Sequence, residues 1–278
     1  MKNTLAALSL GIALLAGSLA RAEVLVLVHG WAASADTWRV NGVMPALARH
    51  GWQDAGVVSA LPDGVHYLPA AGAQAANKVY RAHLPAEAPL LIQAGHLYVQ
   101  LRFIQQRHPD EPLYLAGHSA GGLVARLVVV RSDAPQVAGL ISIATPNLGT
   151  TRAIQGLEVV DSKPFFCPGP GIDLIKSVVG GDGYRYVRDS RGALIDMVPA
   201  APGTLLGWLN RQRHPDIEYH AVIRELPGTA GDEIAPAFAQ DLNQVPALQG
   251  RAQVHVTPAA HSLNPSDGEL LARILSAD

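Results

Sequence analysis

The sequence predicts an α/β domain, a mostly parallel central sheet with helices on both faces. Three observations predict it. Glu23-Val-Leu-Val-Leu-Val28 is a continuous run of β-branched residues and leucine, as a strand buried on both faces requires. Strand-like and helix-like segments then alternate along the chain, the pattern of a parallel sheet. Gly117-His118-Ser119-Ala120-Gly121-Gly122 follows one such strand and opens one such helix, the setting of a sharp turn that lifts a serine to the sheet's C-terminal edge.

The elements follow in order. The 23–28 strand ends in His29-Gly30-Trp31, then a loop of small residues and a short helix around 45–50. Residues 54–59 form a weaker strand. A helix is expected over 88–107 and is stopped by His108-Pro109. Strands are expected at 113–116, 137–144, 217–224 and 252–256. Helices are expected at 120–131 and, amphipathic, at 267–276. Between about 150 and 215 the alternation stops in a stretch rich in Pro and Gly. It is too short for its own core and reads as a cap or lid inserted above the sheet.

Residues 1–22 have the layout of a cleavable secretory signal: Lys2, an uncharged apolar run from Leu5 to Ala20, and Ala20-Arg21-Ala22 as the cleavage pattern. The other reading is an uncleaved anchor, for which the apolar run is short. The signal implies a secreted or periplasmic protein, with residues 23–278 as one domain. Net charge is −2 with 16% charged residues, and no basic stripe appears, so nucleic acid is not an expected partner. Cys167 is the only cysteine, which excludes an internal disulfide and suits a partly buried apolar side chain. No cofactor and no metal site is expected.

The glycines at 117 and 121 have a steric reason, since a β-carbon at either would meet the neighbouring strand or helix. The turn also sets the backbone N–H of Ala120 at a helix N-terminus, where a developing oxyanion would sit. Trp31, after the glycine of His29-Gly30-Trp31, is the expected second oxyanion donor, and His29 is expected to hold that loop's shape. A serine needs a base, and the base a carboxylate, in the chain order Ser, Asp or Glu, His. His261 follows the last strand and is the expected base. His220 and His255 lie within strands and are expected to pack. His118 is expected to pack beside the serine. Asp232 in Gly231-Asp232-Glu233 is the favoured acid, with Glu233 pointing elsewhere and Asp241 as the rival.

These segments, together with Ala144-Thr-Pro-Asn-Leu-Gly-Thr150 and Asp196-Met-Val-Pro199 followed by Leu209-Asn210, resemble the bacterial secreted lipases and esterases of the α/β-hydrolase superfamily. The resemblance implies the α/β-hydrolase fold and acyl transfer to water from a small-molecule or lipid ester. Ile172, Ile175 and Val179 recur at helical spacing, with Leu174 and Val178 beside them and Phe165 and Phe166 just before. That stripe fits either packing on the sheet edge or a lid making transient contact with a lipid surface. Lipase and soluble-ester esterase stay undecided, as does the oligomeric state. A thioesterase or polyester depolymerase on the same triad, and a non-catalytic binding protein of this fold, are the rival readings.

Overall fold

The computed structural model describes residues 22–71, 76–161 and 181–276. Eight strands form one sheet: β1 (Val24–Val28), β2 (Gln53–Leu61), β3 (Gly64–Pro69), β4 (Lys78–His83), β5 (Leu113–His118), β6 (Gly139–Ile143), β7 (Glu218–Arg224) and β8 (Ala252–Thr257). Their order is β3-β2-β4-β1-β5-β6-β7-β8, parallel throughout except for the β2–β3 hairpin.

The alternation along β1 divides the core in two. Val24, Val26 and Val28 face a cluster with α3 (Leu90–Arg107) and α4 (Ala120–Val129). Leu25 and Leu27 face a second cluster with α2 (Val43–Arg49), α10 (Pro265–Leu275) and the buried indoles of Trp38 and Trp52. Successive strand side chains point to opposite faces, so a strand covered by helices on both sides must be apolar at every position. α3 buries Leu90, Ala94, Leu97, Leu101 and Ile104, one stripe at helical spacing. α10 begins with a capping box, in which Asn264 and Asp267 exchange hydrogen bonds with each other's backbone N–H.

Two strands escaped the sequence reading. β3 is an exposed edge strand beside β2. β4 is nearly all buried and lies between β1 and β2, yet it carries Arg81, which disguises it. That guanidinium is neutralised in place by Asp36 at 2.8 Å and Asp54 at 3.0 Å. Buried charge is tolerated when paired in this way.

The stretch after β6 also holds more regular structure than its composition suggests. It forms α5 (Thr151–Asp161), α6 (described over 181–189), α7 (Arg191–Asp196) and α8 (Leu205–Leu209), of which α5, α7 and α8 contribute Ala153, Ala193, Leu194, Leu206 and Leu209 to the main core. The two ends of this excursion are joined by Thr150 N–H to Met197 O at 2.9 Å and Ala200 N–H to Leu148 O at 2.9 Å. The apolar stripe at 172–179, Phe165, Phe166 and Cys167 lie outside the described residues, as do residues 1–21 of the expected signal.

Candidate active site

β5 runs directly into α4 through Ser119, whose φ of 54° and ψ of −127° are strained for a residue with a β-carbon. Such a conformation costs on the order of 1–3 kcal/mol and persists only where its surroundings enforce it. The neighbours enforce it here. The Ser119 N–H donates to Ile143 O at 2.9 Å. A β-carbon on Gly117 would stand 2.5 Å from Gly122 Cα, and one on Gly121 would stand 2.3 Å from Val28 O. Two further glycines are as constrained. Gly122 abuts Thr145, and a β-carbon on Gly30 would lie 2.9 Å from Ser119 Cβ.

The turn presents the serine hydroxyl to His261. Ser119 O–H donates to His261 Nε2 at 2.9 Å, and His261 Nδ1–H donates to Asp232 Oδ2 at 2.8 Å. Asp232 Oδ1 accepts the backbone N–H groups of Ile234 and Ala235 at 2.8 and 2.7 Å. The Asp232 side chain is wholly buried, which by itself raises a carboxyl pKa. The His261 bond and the two backbone donors outweigh that burial and hold it below the usual carboxylate range. The rival, Asp241, instead caps a turn through the N–H of Asn243 at 2.8 Å.

The base loop is held from two sides. His118 Nε2–H donates to the carbonyl oxygen of His261 at 2.9 Å, and the two rings lie 5.2 Å apart. Burial, helped by repulsion from His261, depresses the His118 pKa to about 3, so this imidazole is a neutral strut. On the other side both carboxylate oxygens of Glu233 accept the His261 N–H at 3.1 Å. The expectation that Glu233 points away from the imidazole is met, but its role at the backbone was not read from the sequence. The acid loop is itself tied to the start of α5, by Arg152 Nε–H to Glu233 O at 2.9 Å and by the Thr150 hydroxyl to Ile234 O.

Opposite lies the His29-Gly30-Trp31 loop. The N–H groups of Trp31 and Ala120 donate to no acceptor among the described residues. His29 Nδ1–H donates to Gly30 O at 3.0 Å, and its Nε2 accepts Leu84 N–H at 3.1 Å. Burial lowers its pKa to about 4, so it braces the loop as a neutral ring. His220, also expected to pack, is buried and stacked on His255 with ring centres 5.5 Å apart.

Beneath α4 the structure adds a polar network that sequence reasoning missed. Arg126 is fully buried and bonds to Asn147 at 3.1 Å, Asn210 at 2.8 Å and His214 Nε2 at 3.3 Å. With neutral partners only, desolvation depresses its pKa to about 9. The network ties the elbow helix to the loop after β6 and to the end of α8. Among the described residues no group of three His, Cys, Asp or Glu side chains is arranged to hold a metal ion.

Sheet order, elbow and flanking helices define a protein of the α/β-hydrolase fold. Residues 94–160, from α3 through the elbow to α5, match the family model described as serine aminopeptidase, S33. Among solved structures, the lin2722 gene product of Listeria innocua has a TM-score of 0.60 at 15% identity, covering 92% of this chain and 94% of that one. The mature Bacillus licheniformis lipase BlEst2 has a TM-score of 0.58 at 15% identity, covering 93% and 92%. An esterase from Exiguobacterium antarcticum has a TM-score of 0.51 at 13% identity, covering 92% and 91%. At these identities the likeness is one of fold, and at that level the resemblance drawn from the sequence is met. No curated protein sequence matches the chain.

Proposed function

We propose that the chain is a serine hydrolase cleaving carboxylic esters through an acyl-enzyme. The observation that carries this reading is the continuous relay from Ser119 Oγ through His261, at 2.9 Å, to the buried Asp232, at 2.8 Å. In this reading His261 Nε2 takes the Ser119 proton as Oγ attacks the ester carbonyl. Asp232 fixes the Nδ1–H tautomer and stabilises the imidazolium without taking its proton. The N–H groups of Trp31 and Ala120 receive the oxyanion, each such donor being worth about 3 kcal/mol of barrier. The imidazolium then protonates the leaving alcohol. Water repeats the sequence on the acyl-enzyme, with His261 as base, and releases the acid. The likeness in fold to a lipase and an esterase supports esters as the substrate class.

The same reading has residues 1–22 removed and the mature enzyme working in the periplasm or outside the cell. It assigns the segment from about 150 to 215 as a cap over the site.

The test is hydrolysis of p-nitrophenyl esters from acetate to palmitate by the mature chain beside Ser119→Ala. Turnover abolished by the substitution is the expected result, and the chain-length optimum separates esterase from lipase. No turnover of any ester by folded wild-type protein overturns the reading and turns attention to thioesters and polyesters.

A further inference from the structure

We infer that Tyr186 is a positioning residue for the oxyanion loop, acting from α6, a helix distant in sequence from both the nucleophile and the loop. The inference rests on the acyl-transfer reading above and deepens it.

Three observations meet at Tyr186. Its hydroxyl oxygen accepts the backbone N–H of Ala32 at 3.0 Å. Its ring lies against the Trp31 indole, with centroids 5.5 Å apart. Ala32 itself sits at a φ of 55°, a left-handed conformation that a residue with a β-carbon adopts only under constraint.

The N–H that would face the oxyanion belongs to the peptide linking Gly30 to Trp31. One side of that peptide is fixed by Gly30, which is pressed against Ser119 so closely that a β-carbon would meet Ser119 Cβ at 2.9 Å. On the other side the Trp31 side chain packs against the main core. The backbone there is set by the next peptide, between Trp31 and Ala32, whose N–H points at the Tyr186 oxygen. Fixing that peptide plane and the Trp31 ring together fixes the direction of the Trp31 N–H. Oxyanion stabilisation depends on donors already aimed before the reaction, so a loosely aimed donor loses most of its value.

α6 can bear this load because it is braced. Ser190 N–H donates to Tyr186 O at 2.9 Å, and the helix runs directly into α7. α7 is anchored to α3 where Asp196 accepts the Leu90 N–H at 2.8 Å.

Tyr186→Phe keeps the ring on Trp31 and deletes only the hydroxyl, and with it the acceptor for Ala32 N–H. Reaction of Ser119 with a fluorophosphonate reads the oxyanion hole without regard to which ester is the substrate. The expected result is a maximal labelling rate reduced about tenfold, a fraction of the effect of deleting a donor outright. Half-saturation by the probe and the thermal midpoint stay near wild type. An alkyl boronic acid, whose tetrahedral Ser119 adduct fills the same hole, should weaken by the same factor. A purely structural tyrosine would move the thermal midpoint and leave these ratios alone. Labelling of Tyr186→Phe at the wild-type rate overturns this inference and leaves the acyl-transfer reading standing. A folded wild-type chain that takes no label overturns both.

Discussion

Glu233 accepts the backbone N–H of His261 through both carboxylate oxygens, each at 3.1 Å, one residue after the aspartate that holds the same histidine's ring. One short loop thus fixes both the ring and the backbone of the proposed base. Glu233 is exposed, so its bond is partly screened and its worth lies in geometry more than in stability. Glu233→Ala is expected to lower kcat by roughly three- to tenfold with little change in the thermal midpoint, as small displacements of a base degrade proton transfer. Glu233→Gln, which keeps one acceptor oxygen, should recover much of that loss. Equal kcat values in wild type and the alanine variant would remove Glu233 from the positioning scheme.

Asp232→Asn tests the relay at its buried end. The asparagine oxygen can still accept from Ile234 and Ala235, which leaves its NH₂ facing His261 Nδ1. The imidazole must then turn its proton to Nε2, the atom that should accept from Ser119. A kcat lower by about 10⁴ is the expected consequence of the wrong tautomer. Loss of less than tenfold in a folded variant would show that Asp232 does not set the tautomer.

Gly30→Ala and Gly121→Ala separate site sterics from fold sterics. A β-carbon on Gly121 would lie 2.3 Å from Val28 O and 2.5 Å from His29 O, backbone atoms at the end of β1 and the start of the loop after it. Overpacking there has no flexible neighbour to yield, and the variant is expected to lose upwards of ~3 kcal/mol or fail to accumulate. At Gly30 the added carbon meets Ser119 Cβ at 2.9 Å and His118 O at 3.0 Å, both at the nucleophile. Gly30→Ala should fold and lose most of its turnover. Circular dichroism beside ester hydrolysis checks both, and a fully active Gly30→Ala would contradict the close approach.

What the sequence made legible follows from which constraints are local. β1 and the elbow announce themselves because continuous apolarity and glycine spacing are local demands of burial and of a sharp turn. The order of Ser119, Asp232 and His261 follows from sheet topology, and these three side chains do meet. β4 was illegible because Arg81 looks like a break until Asp36 and Asp54 are placed beside it from other elements. Glu233, Tyr186 and Arg126 were illegible for a related reason. Each acts on a partner between 21 and 154 positions away, and no local pattern marks such a pairing.

Three buried imidazoles give the fold a defined acid limit. Burial lowers the pKa of His29 to about 4, of His118 to about 3 and of His214 to about 4, with electrostatic repulsion from the neighbouring His261 and Arg126 adding to the effect at the latter two. In the unfolded chain each returns to about 6.5. Below that pH the unfolded state binds protons that the folded state refuses, so stability falls with falling pH. Their contribution is fully present above pH ~6.5 and declines down to the folded values, at up to about 1.4 kcal/mol per pH unit for each proton taken up. Asp232 has the depressed pKa of a bonded carboxylate, so its contribution holds through this window and is lost only at lower pH, below the ordinary carboxylate range. The urea midpoint should therefore be flat from pH 8 to 7 and fall steadily from pH 6.5 to 4.5. His214→Gln, remote from Ser119, should lose stability at pH 8 yet show a slope shallower by about one proton. A midpoint independent of pH between 7 and 4.5 would mean that these imidazoles titrate in the folded protein as they do in the unfolded chain.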